Sequence, residues 1–161
     1  MSQRFSARPQ GTGRSALRLI PYTTLLKFIA LLFLLYYSYW LMKPRIVIAD
    51  NFQPFLHELH SLLSGRFDIV AVACSGRSAL EAIRRHQPKV AILDLDLPDL
   101  NGIQVAKELA TDSVHPAIVI CSVENDADVI EAARKAGVVA YVMKSRIETE
   151  LIPVLNSIIE G

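Results

Sequence analysis

At 161 residues and a net charge of +1, the chain is long enough for one ordinary domain and an added segment. The near-neutral total hides a division: residues 1–49 carry seven Lys/Arg and no acid, while 50–161 carry ten Lys/Arg against all sixteen acids, a net −6. A domain of that sign is poorly suited to phosphate contacts with nucleic acid, and Cys74 and Cys121, in apolar runs without metal-ligand spacing, read as buried thiols of a reducing compartment.

Residues 1–18, "MSQRFSARPQGTGRSALR", are polar, basic and rich in Gly and Ser, the composition of a disordered tail. The hydrophobic segment 19–42 comes next. Its cleanest stretch, 28–42, has fifteen residues, short of the roughly 20 that span a bilayer. Extension back to Leu19 takes in Pro21 and Lys27, while Tyr36, Tyr37, Tyr39 and Trp40 resemble an interfacial aromatic belt. The four arginines before the segment would hold the N-terminus inside and export the domain after it, so orientation argues against a simple anchor. Met42 opens "MKPRIVIAD", a natural start for a soluble domain. Two readings of 19–42 therefore stand: a candidate transmembrane helix, or a spurious extension without a role.

From residue 45 strands and helices alternate. "RIVIA" (45–49) is a buried strand, and 53–65 is a helix with Phe55, Leu56, Leu59, Leu62 and Leu63 at helical spacing and Gly65 to close it. "FDIVAVA" (67–73) is a second strand, and 76–86 a helix that Ser75 can cap. "VAILD" (90–94) is the third strand, with a helix over 102–110. "AIVIC" (117–121) is the fourth, with a helix over 126–137. "VVAYVM" (138–143) is the fifth, with a helix over 148–160. This alternation predicts an α/β fold, a doubly wound five-stranded parallel sheet with helices on both faces.

Ligands bind such sheets beyond the carboxyl ends of the strands, where the strand order reverses. The polar residues at those ends are Asp50 and Asn51, Asp94, Ser122 and Lys144. The run "AILDLDLPDLNG" (91–102) passes directly from core strand into acid. Buried carboxylates held close together repel unless a cation relieves them. Oxygen ligands with open water positions suit Mg²⁺, which takes one or two carboxylates together with phosphate oxygens. Pro98 and Gly102 mark a tight turn, with Asp99 and Asn101 as turn and cap residues. His57, His60, His86 and His115 have no evident carboxylate partner and read as surface or boundary residues.

The motifs "IVIADN", "AILDLDLPDLNG", "IVICS" and "AYVMK", at the ends of the correct strands, resemble a bacterial two-component response-regulator receiver domain over 45–161. The resemblance implies a flavodoxin-like (βα)5 fold with strand order 2-1-3-4-5. It implies that Asp94 accepts a phosphoryl group from a sensor histidine kinase or phosphotransfer protein, and that the chain switches binding to a downstream partner rather than acting as an enzyme. It further implies Mg²⁺ held by Asp50, Asn51, Asp94 and the Asp96 backbone carbonyl. Ser122 and Lys144 would contact the phosphoryl group, Ser122 and Tyr141 would form the switch, and Asp96 and Glu124 would tune dephosphorylation. The resemblance also implies a cytoplasmic location, at the inner membrane face if 19–42 is an anchor. No output domain is expected after the fifth helix, and no nucleic-acid binding by this chain alone.

Three residues depart from the family pattern: Asn51 where a second acid is usual, Val123 where a small residue is usual, and Ser145 where proline is usual. They motivate an alternative, a pseudo-receiver that binds partners without phosphorylation. A third reading, a haloacid-dehalogenase-like phosphatase, draws on the near-match of "DLDLP" to that family's nucleophile motif. Pro98 at its Thr/Val position, and its place on the third strand, oppose it.

Overall fold

The computed structural model describes residues 21–41, 43–113 and 116–161. The expected tail 1–18 and His115 lie outside them, as do the side chains of Tyr39 and Trp40. The chain divides into two compact units, Met1–Leu41 and Met42–Gly161.

In the first unit Tyr22–Leu41 forms helix α1, with Phe33 and Tyr37 stacked one turn apart at 6.5 Å. Among the described residues no helix is long and apolar enough to cross a membrane. The transmembrane reading of 19–42 is thereby corrected. The helix starts three residues after Leu19, and Lys27 puts a charge inside it, leaving too short an uninterrupted apolar run.

In the second unit the strands are β1 (Arg45–Ala49), β2 (Asp68–Ala73), β3 (Val90–Asp94), β4 (Ala117–Ser122) and β5 (Ala140–Met143). They form one parallel sheet in the order β2-β1-β3-β4-β5. The helices are α2 (Gln53–Leu63), α3 (Gly76–His86), α4 (Gly102–Leu109), α5 (Ala127–Lys135) and α6 (Ile147–Glu160), with a 3₁₀ turn at Lys144–Arg146. This is the expected flavodoxin-like fold.

The central strands read as unbroken apolar runs because both of their faces are covered. Ile46, Ile48, Val90 and Ile92 pack with Leu59 and Leu63 of α2 and Leu151 and Leu155 of α6. Val47, Ala91 and Leu93 face the other way, toward Ala79 and Ile83 of α3 and Val105 and Leu109 of α4. The period-2 alternation of side chains along a strand produces this division.

Helix ends differ from expectation where local hydrogen bonds decide. Asp126 caps α5 from outside, its Oδ1 accepting from the backbone N–H groups of Asp128 and Val129 at 2.8 and 3.3 Å. Gly137, at φ +90°, ends that helix in left-handed backbone. Gly65 does not close α2: the helix ends at Leu63, and the Ser64 cap keeps right-handed backbone. Ser75 and Asn101 cap α3 and α4 as expected, each in a reciprocal pair with the residue three positions on, Ser78 and Gln104. One cysteine expectation is corrected: Cys121 is buried but Cys74 is exposed, because it comes after β2, the edge strand.

Candidate functional site

Four side chains predicted from the strand ends meet at the carboxyl edge of the sheet. Asp50 follows β1, Asp94 and Ser122 end β3 and β4, and Lys144 follows β5. Asp50 and Ser122 are fully buried and Asp94 is 5 % exposed. The Lys144 ammonium sits between the two carboxylates, 2.6 Å from Asp50 Oδ2 and 3.1 Å from Asp94 Oδ1. A buried carboxylate pair beside one cation resolves the run from core strand into acid. The charge is held at the exit of the core, with an opposite charge on it.

Burial raises the pKa of Asp94 above its usual value, the Asp50 charge adds to the rise, and Lys144 opposes both without cancelling them. Burial works against the charged form of Lys144, but pairing with Asp50 and Asp94 outweighs it, and its pKa is raised. Cys121, paired with Asp94 across β3 and β4, is pushed up to about 12 by burial, so it stays a thiol here.

The β1 exit is shaped by Asp50 itself. Its Oδ1 accepts from the Phe52 N–H at 2.8 Å, which turns the chain into α2, while Oδ2 has the ion pair with Lys144 but no hydrogen bond of regular geometry. Asn51 is exposed at this turn. The acid loop is built by close backbone approach. A Cβ on Gly102 would lie 2.5 Å from the Asp94 carbonyl oxygen, and Asp99 adopts left-handed backbone at φ +69°. Asp96 and Glu124 are exposed on the loops around the site. Asn51 and Asp96 therefore lie in solvent while Asp50 and Asp94 are inside. Among the described residues no three His, Cys, Asp or Glu side chains come together as a metal site; with Asn51 in place of an acid, the carboxylates that share Lys144 number two.

Ser122 and Tyr141 are joined through the loop after β4. Ser122 Oγ accepts from the Glu124 N–H at 3.0 Å, and the Tyr141 hydroxyl donates to the Glu124 carbonyl at 3.0 Å. Burial raises the Tyr141 pKa, the nearby Ser122 hydroxyl opposes, and the charges of Glu124, Asp96 and Asp94 reinforce it. The tyrosine thus stays a neutral donor. Val123 is 73 % exposed beside this loop.

Two contributors carry no clear sequence signal. Phe55 lies in the first turn of α2, and its ring face is 4.6 Å from Lys144 Nζ. Gly76 packs against the acid loop, its N–H donating to the Pro98 carbonyl at 2.9 Å. Its helical start was legible from Ser75, but not its partner. A separate open cavity of about 450 Å³, lined by Arg84, Asp112 and Pro116 among others, lies toward the opposite end of the strands.

Residues 46–156 match the family described as the response regulator receiver domain. The transcriptional regulatory protein PdtaR of Mycobacterium tuberculosis is 32 % identical over 113 residues, 70 % of this chain and 55 % of that protein. The DNA-binding response regulator MtrA of Mycolicibacterium smegmatis is 33 % identical over 111 residues, 69 % of this chain and 48 % of that protein. The chain spans about half the length of these relatives. Among solved structures, the signal receiver domain of a NarL response regulator from Mycobacterium tuberculosis superposes with a TM-score of 0.71 at 27 % identity, covering 74 % of this chain and 98 % of that one. A LuxR-family response regulator from Staphylococcus aureus gives 0.68 at 26 % identity, covering 71 % and 98 %.

Proposed function

Because the chain belongs to the response-regulator receiver family, whose members are signalling switches rather than enzymes, we propose that residues 45–161 form a receiver that takes a phosphoryl group on Asp94 from a sensor histidine kinase or phosphotransfer protein. The observation that carries this reading is the Lys144 ammonium held against both buried carboxylates. In the transfer, an Asp94 oxygen bonds to phosphorus as the bond from phosphorus to the donor histidine nitrogen breaks, the electron pair leaving with the imidazole. Phosphoryl transfer needs positioning and charge neutralisation above all, and Lys144 supplies a charge already in place. Ser122 can donate to a phosphoryl oxygen once its loop shifts. Tyr141, tied to that loop through the Glu124 carbonyl, would report the shift to a downstream protein. Asp96 and Glu124, on the neighbouring loops, are read as tuning dephosphorylation. The free thiols Cys74 and Cys121 suit a reducing cytoplasm.

The donor set fits Mg²⁺: two buried carboxylates, one with an oxygen that accepts no hydrogen bond, and carbonyl and amide oxygens next to them in the chain. Asp50, Asp94, the Asp96 carbonyl and Asn51 would hold the ion, which when bound neutralises charge on the phosphoryl oxygens. The test is incubation of the full-length protein with acetyl phosphate and Mg²⁺. One added phosphoryl mass, released by hydroxylamine as an acyl phosphate is, supports the proposal. No gain in mass favours the phosphorylation-independent receiver that Asn51 and Val123 suggest.

Asn51→Asp should tighten Mg²⁺ binding several-fold and speed labelling. Mg²⁺ is a hard cation, and a formal charge replaces a neutral amide oxygen. The metal-free variant should be less stable by about 1 kcal/mol, a modest repulsion because position 51 is exposed. Added Mg²⁺ should restore that loss by mass action. Thermal melting of both proteins across a Mg²⁺ titration measures it; parallel titration curves would show that residue 51 does not face the ion.

A further inference from the structure

A lysine between two carboxylates needs no aromatic neighbour, and any apolar residue at position 55 would continue the buried face of α2. Yet the Phe55 ring lies face-on to Lys144 Nζ, its centroid 4.6 Å away, while Asp50 and Asp94 hold the same nitrogen at 2.6 and 3.1 Å. The face of an aromatic ring carries the negative part of its quadrupole and attracts a cation. The ammonium has three N–H donors and two carboxylate partners, and the ring is a third, diffuse one. Phe55 is also fixed. It is 6 % exposed, its N–H donates to the Phe52 carbonyl at 3.0 Å, and it packs in the layer that contains Ile48, Val142 and Ile147.

We infer that Phe55 is a positioning residue: its ring face holds the Lys144 ammonium against Asp50 and Asp94, where the negative charge of an incoming phosphoryl group is met. The inference rests on the reading of Asp94 as acceptor. It places the lysine's order in the packing of α2, so that the charge needs no rearrangement when the donor arrives. With acetyl phosphate as donor, the Asp94 oxygen–phosphorus bond forms as the phosphorus–oxygen bond to acetate breaks, and the electron pair leaves with acetate.

The test uses full-length protein with phenylalanine, 4-fluoro-, 3,5-difluoro- or 3,4,5-trifluorophenylalanine at position 55, and Phe55→Leu. Fluorines drain the ring face stepwise at nearly constant shape, so a purely structural role predicts a flat series. The maximal rate of labelling by acetyl phosphate should fall with each fluorine, by about threefold to tenfold at the end of the series. Phe55→Leu should behave like the trifluoro protein. The Lys144 ammonium signal in ¹⁵N NMR, without phosphodonor, should broaden in the same order as its hold loosens. A flat rate series with an unchanged ammonium signal overturns the inference. If no protein in the set takes up phosphate, the acceptor reading falls by itself. The ammonium signal then decides the contact: stepwise broadening supports it, and constancy overturns it.

Discussion

Asp94→Asn should gain no phosphoryl mass under conditions that label the natural chain completely, and it should fold at least as well. The amide keeps the shape of the carboxyl group but has no anionic oxygen to attack phosphorus. Its effect on stability depends on pH. The folded-state pKa of Asp94 is raised by burial and by Asp50, beyond what Lys144 recovers. A raised carboxyl pKa means that the folded protein holds the proton more tightly than the unfolded chain. The ionised form therefore disfavours folding above the raised value, and that penalty disappears as pH falls toward the ordinary 3.8. Asparagine removes the penalty, so the variant should melt higher at neutral pH, and the two melting curves should converge on acidification. Intact mass after acetyl phosphate treatment, with melting from pH 7 down to 4, measures both parts. Equal labelling of variant and natural protein would remove Asp94 as the acceptor. A variant that melts lower at pH 7 would show that the Lys144 ion pair outweighs the burial and repulsion.

The largest loss of stability is expected from Gly76→Ala. Gly76 opens α3, and at an unstrained helical position alanine would stabilise by roughly 0.5–1 kcal/mol over glycine. Here a Cβ would stand 1.8 Å from the Leu100 carbonyl oxygen and 2.7 Å from the Leu100 carbonyl carbon and Cβ. No rotamer relieves a clash with backbone, so α3 or the acid loop must move. Overpacking of this kind costs about 3 kcal/mol or more, equivalent to a Tm drop on the order of 10 °C for a domain this size. The hydrogen bond from the Gly76 N–H to the Pro98 carbonyl would go with it. Because Pro98 belongs to the loop after Asp94, labelling of Asp94 should slow as well. Gly65→Ala is the control, since nothing lies within 4 Å of its added Cβ, and its melting should match the natural protein. Thermal melting of the three proteins measures the difference. A Gly76→Ala protein as stable as the control would mean that α3 and the acid loop adjust freely to one another.

Much of the domain was legible in the chain because its signals are local. Runs such as "RIVIA" and "VAILD" are apolar without interruption because both sides of the central strands are covered, and the helices between them repeat apolar residues every three or four positions. Ser75 and Asn101 name their own helix starts through short side chains that reach backbone N–H groups nearby. The polar residues at strand ends pointed to Asp50, Asp94, Ser122 and Lys144 for a topological reason. Parallel strands joined by right-handed crossovers bring their carboxyl ends to one edge, whatever the distance in sequence. The apolar segment 19–42 was the weakest reading, since hydrophobicity without sufficient uninterrupted length does not decide between a span and an ordinary helix.

Periodicity and capping act within a few residues, and so the elements, their alternation and the edge of the sheet where charge collects are all written along the chain. Contacts among residues far apart in sequence are set by the packed fold instead. Lys144 lies nearer Asp50 than Asp94, Phe55 presents its ring face to that ammonium, and Gly76 leaves room for Leu100. These depend on how α2, α3 and the acid loop pack against the sheet, and close packing couples each side chain to neighbours that no local pattern names.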